Sequence, residues 1–186
     1  MTRPRSTAAR QIALGHAAAV VLEEGVSALT FEGLARVSGV AKTTLYRHWP
    51  TRAELLRDTL NSMVEELPTL GTGSLRTDVH ALVAAVPTND DDERRLFFLL
   101  MEAAMRDPAV REARDAMIAE RTQPIRDMVE AAMARGELHA GIDVDLAIDL
   151  VMGPMVARHL VRLLPISGAI TDQVVDATIA ALQSLR

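Results

Sequence analysis

The stretch TFEGLARVSGVAKTTLYRHWPTRAE, Thr30 to Glu54, decides how this chain is read. Thr30 is an N-cap residue type, and Phe31, Leu34, Ala35 and Val37 follow it as apolar positions of one short helix. Ser38-Gly39 ends that helix, because glycine enters the left-handed conformation without a Cβ penalty. A second short helix, about Ala41 to Trp49, starts almost at once. Its inward anchors are Leu45 and Trp49, one turn apart. Lys42, Thr43, Thr44, Tyr46, Arg47 and His48 are left at the entry end or on the outward side. Pro50 blocks continuation, and Thr51-Arg52-Ala53-Glu54 has the form of a capping box that opens a third helix. Two helices across a glycine turn are the helix-turn-helix unit, whose second helix enters a DNA major groove. Long donors on such a helix reach phosphates, and Thr and Tyr touch base edges or methyl groups.

The residues also carry a family likeness. GVAKTTLYRHWPTRAELL, Gly39 to Leu56, resembles the recognition-helix signature of the TetR (tetracycline-repressor-like) family of bacterial regulators. Turn, Leu-Tyr pair, aromatic-Pro pair and capping box all fall at the family spacing. Upstream, Glu24-Gly25, Thr30 and Leu34-Ala35 extend the match over roughly residues 10 to 56. The chain departs from the pattern at Ala41, where a Ser commonly caps the recognition helix, and at Thr43, which replaces a common Gly. The resemblance implies phosphate contacts from Thr30, Lys42, His48 and Arg52, with Thr43, Thr44, Tyr46 and Arg47 toward the bases. At Arg52 the positive end of the third helix adds to the attraction for a phosphate.

Composition and charge agree. The 186 residues suffice for a substantial core, Gly and Pro are sparse, and no alternating strand pattern stands out, so an all-α protein is expected. The net charge of −5 argues by itself against nucleic acid, but residues 1–52 hold seven basic groups against three acidic ones, and the remainder thirteen against twenty-two. A basic head on an acidic body is the footprint of a DNA-binding domain carried by a partner or ligand domain. The absence of Cys fits a reducing cytoplasm. No apolar run approaches the ~18 residues of a membrane span. Met1 to Arg10 has no apolar stretch behind it, so no secretory signal is expected. Thr2 to Ser6 is expected to be a loose arm.

Nine helices are expected. The first runs from about Ala8 to Glu23, with Ile12, Ala13, His16, Val20 and Val21 inward and His16 a packed core histidine. The fourth runs from Arg52 to about Glu66, the fifth from Leu75 to Val86, the sixth from Glu93 to Arg106 with Phe97, Leu100, Met101, Ala104 and Met105 inward. Pro87 to Asp92 reads as a solvated acidic loop rather than a metal site. The seventh starts at Asp107-Pro108, should kink at Pro124 and ends at Gly136. Asp143 caps the eighth, which reaches Leu164 past Gly153-Pro154, and Thr171 caps the ninth. The expected division is a DNA-binding head over residues 1–52 and a ligand-binding and dimerisation domain over residues 53–186.

Arg135 to Leu164 is also similar to the family's carboxy-terminal domain, where the last two helices pair with their copies in a homodimer. The eighth helix is apolar on more than one face, which agrees, with full burial inside the monomer as the competing reading. The family implies a small-molecule pocket. The candidates here are Phe97, Met101, Met117, Met152, Met155 and His159, although Met at helical spacing reads equally as plain core. Few aromatics and no buried-looking acid point to an apolar effector. The whole reads as a ligand-released repressor on a palindromic double-stranded DNA operator, without cofactor or metal. The five His are scattered, and neither HExxH nor GxSxG occurs, so an enzyme is not expected. A helical protein-interaction module with a non-functional helix-turn-helix stays open through Ala41.

Overall fold

The computed structural model describes residues 4–64, 66–86 and 91–186, and the side chains of these except for residues 4–6 and 91–93. Among the described residues there are nine α-helices and no strand, as the composition leads one to expect. They are α1 (Pro4–Glu24), α2 (Phe31–Ser38), α3 (Lys42–His48), α4 (Arg52–Ser62), α5 (Leu75–Ala84), α6 (Asp91–Arg106), α7 (Pro108–Ala134), α8 (Val144–Met155) and α9 (Ala169–Ser184). A 3-10 turn, Val26–Ala28, follows α1, and a π-helical segment, Val156–Val161, extends α8. No described helix is long and apolar enough to cross a membrane.

The chain packs as two compact units. The first comprises Met1–Glu65 and Asp91–Ile118. Its core collects Ala13, Ala17 and Val21 of α1, Phe31 and Leu34 of α2, Leu45 and Trp49 beside α3, and Leu55, Leu56 and Leu60 of α4. Leu96, Leu100 and Ala104 of α6 and Val110, Ala113 and Met117 of α7 close it. The helix-turn-helix therefore packs within a larger body than the first fifty residues supply.

Three expectations change here. His16 is exposed rather than core, with Nδ1 2.9 Å from the Ile12 carbonyl, and Ile12 is exposed with it. The buried stripe of α1 runs through Ala13, Leu14, Ala17 and Val21, so positions 12 and 16 lie to its outer side at 3.6 residues per turn. Residues 4–6 are the start of α1 rather than an arm; Thr2 and Arg3 lie outside the described residues. Met105 is 77% exposed, because the inward face of α6 is set by Leu96, Leu100 and Ala104. Most of the acidic loop, residues 87–90, also lies outside the described residues, while Asp91 and Asp92 open α6.

The second unit comprises Glu66–Asp90 and Ala119–Arg186. Leu75, Val79, Leu82 and Val83 of α5 pack with Ile125, Met128, Val129 and Ala132 of α7. Ala147, Ile148, Val151 and Met155 of α8 and Val175 and Leu182 of α9 complete that core. Helix α7 continues through Pro124, and Gly136, at φ 77°, ends it as expected. Asp143 caps α8, its carboxylate accepting from the N–H of Asp145 and Leu146 at 2.9 and 3.2 Å. The eighth α-helix stops at Met155 instead of reaching Leu164. Pro154 contributes no N–H, and beyond it the helix widens, with Arg162 N donating to Ala157 O, five residues back, at 2.9 Å. Thr171 is not the cap of α9. That helix starts two residues earlier, after Gly168 at φ 57°, and Thr171 is buried in its first turn.

Candidate nucleic-acid interface

The geometry of the recognition segment follows from its caps. Thr30 Oγ1 accepts from Gly33 N at 3.1 Å and starts α2. Gly39 ends it at φ 69°, donating to Ala35 O at 3.1 Å, a conformation that favours glycine. The Ser38 hydroxyl donates to Leu34 O at 2.6 Å and accepts from Val40 N at 3.2 Å, so it ties the turn on both sides. Ala41 precedes α3 without a side-chain cap, but its carbonyl accepts from Thr44 N and Leu45 N at 2.8 and 3.1 Å. The capping box after Pro50 is present: Thr51 Oγ1 accepts from Glu54 N and donates to the Glu54 carboxylate, both at 3.2 Å.

Leu45 and Trp49 are fully buried, as their spacing requires. The indole N–H of Trp49 donates to Asp58 Oδ2 at 2.8 Å, and the same carboxylate accepts from Arg10 at 2.6 Å and from Arg57 at 3.0 Å. Arg10 also lies 5.8 Å from the centre of the Trp49 ring. Burial pushes the Asp58 carboxyl up, but the hydrogen bonds from Trp49, Arg10 and Arg57 outweigh it and hold the group below the ordinary aspartate range. Asp58 thus locks the C-terminal anchor of α3 to α1 and α4. Its role was not seen in the sequence, although a buried indole signals that an acceptor must exist.

With that seam buried, the opposite face of α3 is open. Lys42, Thr43, Tyr46 and Arg47 are exposed, and Thr44 and His48 are half-buried. Tyr46 rests its ring on Phe31, centroids 4.3 Å apart, and is still 46% exposed. Its apolar edge is therefore fixed while the rest faces outward. The Lys42 ammonium donates to Glu32 of α2 at 2.6 Å, and that bond holds the Glu32 carboxyl below its ordinary range. The Thr30 hydroxyl is occupied by its cap. Arg36 and Val37, at the end of α2, are exposed near the same turn.

Arg52 stands apart. Its guanidinium donates to Leu29 O at 2.8 Å, Ser27 O at 2.9 Å and Val26 O at 3.5 Å, and pairs with Asp107 at 2.5 Å. Each of its nitrogens has an acceptor within the protein. Neither the partner nor the carbonyls were legible beforehand, since they lie 23 to 55 residues away.

The effector candidates divide between the units. Met117 is buried in the first core, with Met101 packed against it, and Phe97 is half-buried with its ring on Phe98. Met155 is buried in the second core, Met152 packs against it, and His159 is buried in the π-helical segment. Met117 and Met155 are core residues of their own units. Among the described residues no group of three or more potential ligands gathers that could hold a metal ion.

Comparison with known proteins agrees with this geometry. The family model described as bacterial regulatory proteins, tetR family, matches residues 14–59, and the one described as tetracyclin repressor-like, C-terminal domain, matches residues 70–178. The chain is 27% identical to the HTH-type transcriptional regulator YdeS of Bacillus subtilis, over 86% of this chain and 82% of that protein. It is 28% identical to the DNA-binding transcriptional repressor TetR of Mycobacteroides abscessus, over 88% and 87%. Among solved structures, the TetR family transcription regulator SCO0332 is similar, with a TM-score of 0.67 and 28% identity, over 92% of this chain and 97% of that one. The two family models together span most of the chain, one over the helix-turn-helix and one over the helical part that follows, and the chain belongs to the TetR family of DNA-binding transcriptional regulators.

Proposed function

We propose that the protein is a cytoplasmic, ligand-released repressor that binds a palindromic operator as a homodimer. The observation that carries this is the exposed face of α3, with Lys42, Thr43, Tyr46 and Arg47 outward around a fully buried Leu45–Trp49 seam. Lys42, His48 and the Thr30 end of α2 take phosphates, and Thr43, Thr44, Tyr46 and Arg47 take base edges. Lys42 exchanges Glu32 for a phosphate on binding. Residues 1–52 act as the head and residues 53–186 as the ligand-binding and dimerisation part.

A single helix-turn-helix makes too few contacts for a specific site, so two copies read two half-sites. The pairing surface is the outward side of α8 and α9. Leu146 and Gly153 are exposed on α8, Ala157 on the π-helical segment that extends it, and Ala177 and Ala180 on α9, so two helix pairs pack closely. A small apolar effector is the signal. It favours the state whose two α3 helices are wrongly spaced for successive grooves. That the M. abscessus relative is a repressor supports the sign of the response.

The test is capture of genomic DNA fragments, including the region upstream of the protein's own coding sequence, across a salt series. Selective capture of a near-palindrome with half-sites about 34–36 Å apart is expected. Weak, sequence-blind binding that vanishes with salt refutes the reading and favours a protein-interaction module.

A further inference from the structure

The open face of α3 accounts for DNA contact, but it does not account for Arg52. In the family pattern a basic residue at this place grips a phosphate. Here the guanidinium points at its own protein. Leu29 is the residue before the Thr30 cap, so its carbonyl marks where the chain enters the helix-turn-helix; Arg52 is the first residue of α4, where the chain leaves it. One side chain therefore joins both ends of the unit, through Nε to Leu29 O and Nη2 to Ser27 O, at 2.8 and 2.9 Å. The remaining nitrogen, Nη1, is held at 2.5 Å by Asp107, which comes from outside the unit, at the corner between α6 and α7. Asp107 is itself fixed: its Oδ1 accepts from Ala109 N at 2.9 Å at the start of α7. Arg52 and Asp107 are both about three-quarters buried, with side chains 24% and 25% exposed. The protein supplies four acceptors to the five N–H donors of this guanidinium, at least one at every nitrogen, so a phosphate meets a cation already engaged.

We propose that Arg52 is a positioning residue rather than a phosphate contact, and that Asp107 sets operator affinity by holding Arg52 across the two ends of the helix-turn-helix. The angle at which α3 is presented is then governed from the α6–α7 corner. The sign of the effect separates this from simple electrostatics. Removing a negative charge near DNA strengthens binding if charge alone matters. It weakens binding if the carboxylate is what keeps α3 in place.

The proposal rests on the operator reading above. Its test uses the full-length protein and two duplexes, one selected by the unaltered protein from a randomised pool and one unselected. Asp107→Asn keeps the α7 cap through its amide oxygen, while its NH2 group replaces the oxygen facing Arg52, so both the charge and that acceptor are removed. It is expected to weaken binding to the selected duplex by about three- to tenfold, the range for losing a charge-assisted bond at a partly exposed site. Binding to the unselected duplex and the salt slope stay as they were. Arg52→Gln behaves the same way, the double variant is no worse than the poorer single one, and Asp107→Glu restores selectivity. Trp49 emission shows that each variant is folded. Unchanged or tighter binding by Asp107→Asn overturns the proposal. So does equal loss on both duplexes by Arg52→Gln with a salt slope lower by about 1, the mark of a lost phosphate contact. If the unaltered protein selects no duplex, the operator reading fails on its own. The clamp is then judged by amide exchange at residues 26–30, which Asp107→Asn accelerates if the clamp exists and leaves unchanged if it does not.

Discussion

Asp58→Ala tests whether the recognition helix is held from behind. Asp58 Oδ2 accepts both the Trp49 indole N–H, at 2.8 Å, and Arg10, at 2.6 Å. Trp49 is fully buried, so its N–H loses its acceptor. An unsatisfied buried donor costs about 1–3 kcal/mol. The Arg10 pair adds at most about 1 kcal/mol, because that arginine is 43% exposed and screened. Together they give a loss of about 1–4 kcal/mol, or roughly 2–16 °C at this chain length. Asp58→Asn keeps an acceptor for the indole but loses the charge and the oxygen that accepts from Arg57, so it costs about 1 kcal/mol. Trp49 is the only tryptophan, so its emission during urea unfolding reports the head without a label. The same carboxyl is held below its ordinary range, so its contribution is complete above the unfolded aspartate value of about 3.9 and is lost as pH falls through the lower folded value. The Trp49 transition of the unaltered protein should therefore weaken below about pH 4, and that of Asp58→Asn should weaken less. Equal stability of Asp58→Ala and the unaltered protein, with unshifted emission, refutes the anchoring role.

Three further outcomes are expected. Tyr46→Ala should weaken selected DNA more than unselected DNA, in line with about 1–3 kcal/mol for a base contact, and equal losses in a competition assay would move Tyr46 to the phosphates. Gly39→Ala should cost about 1–2 kcal/mol in urea unfolding, because the site is open but its φ is 69°, and a neutral result would mean the α2 turn relaxes freely. Glu32→Gln should tighten selected and unselected DNA alike, because Lys42 no longer leaves a carboxylate partner to reach a phosphate. Unchanged affinity at low salt would show that Lys42 does not bind DNA.

What the sequence determined by itself is the local grammar of the head. Thr30, Gly39, Thr51 and Glu54 specify where helices start and stop, because capping depends on a few neighbouring backbone groups. Leu45 and Trp49 specify which side of α3 is inward, because helical spacing depends only on chain geometry. The all-α class follows from the same local terms, as does the family. Tertiary structure decided everything that depends on partners distant in the chain. His16 and Met105 have the residue types and rough spacing of core positions, yet they face outward, because which arc of α1 or α6 is covered depends on the helices that pack there. The π-helical widening after Pro154 depends on how the freed ladder is resolved around it. Arg52 shows the distinction most sharply. Its place at a helix start suggests an anion outside the protein. Its actual acceptors are three carbonyls of the connection between α1 and α2 and a carboxylate 55 residues on, and only the folded chain brings a long, flexible cation within reach of them.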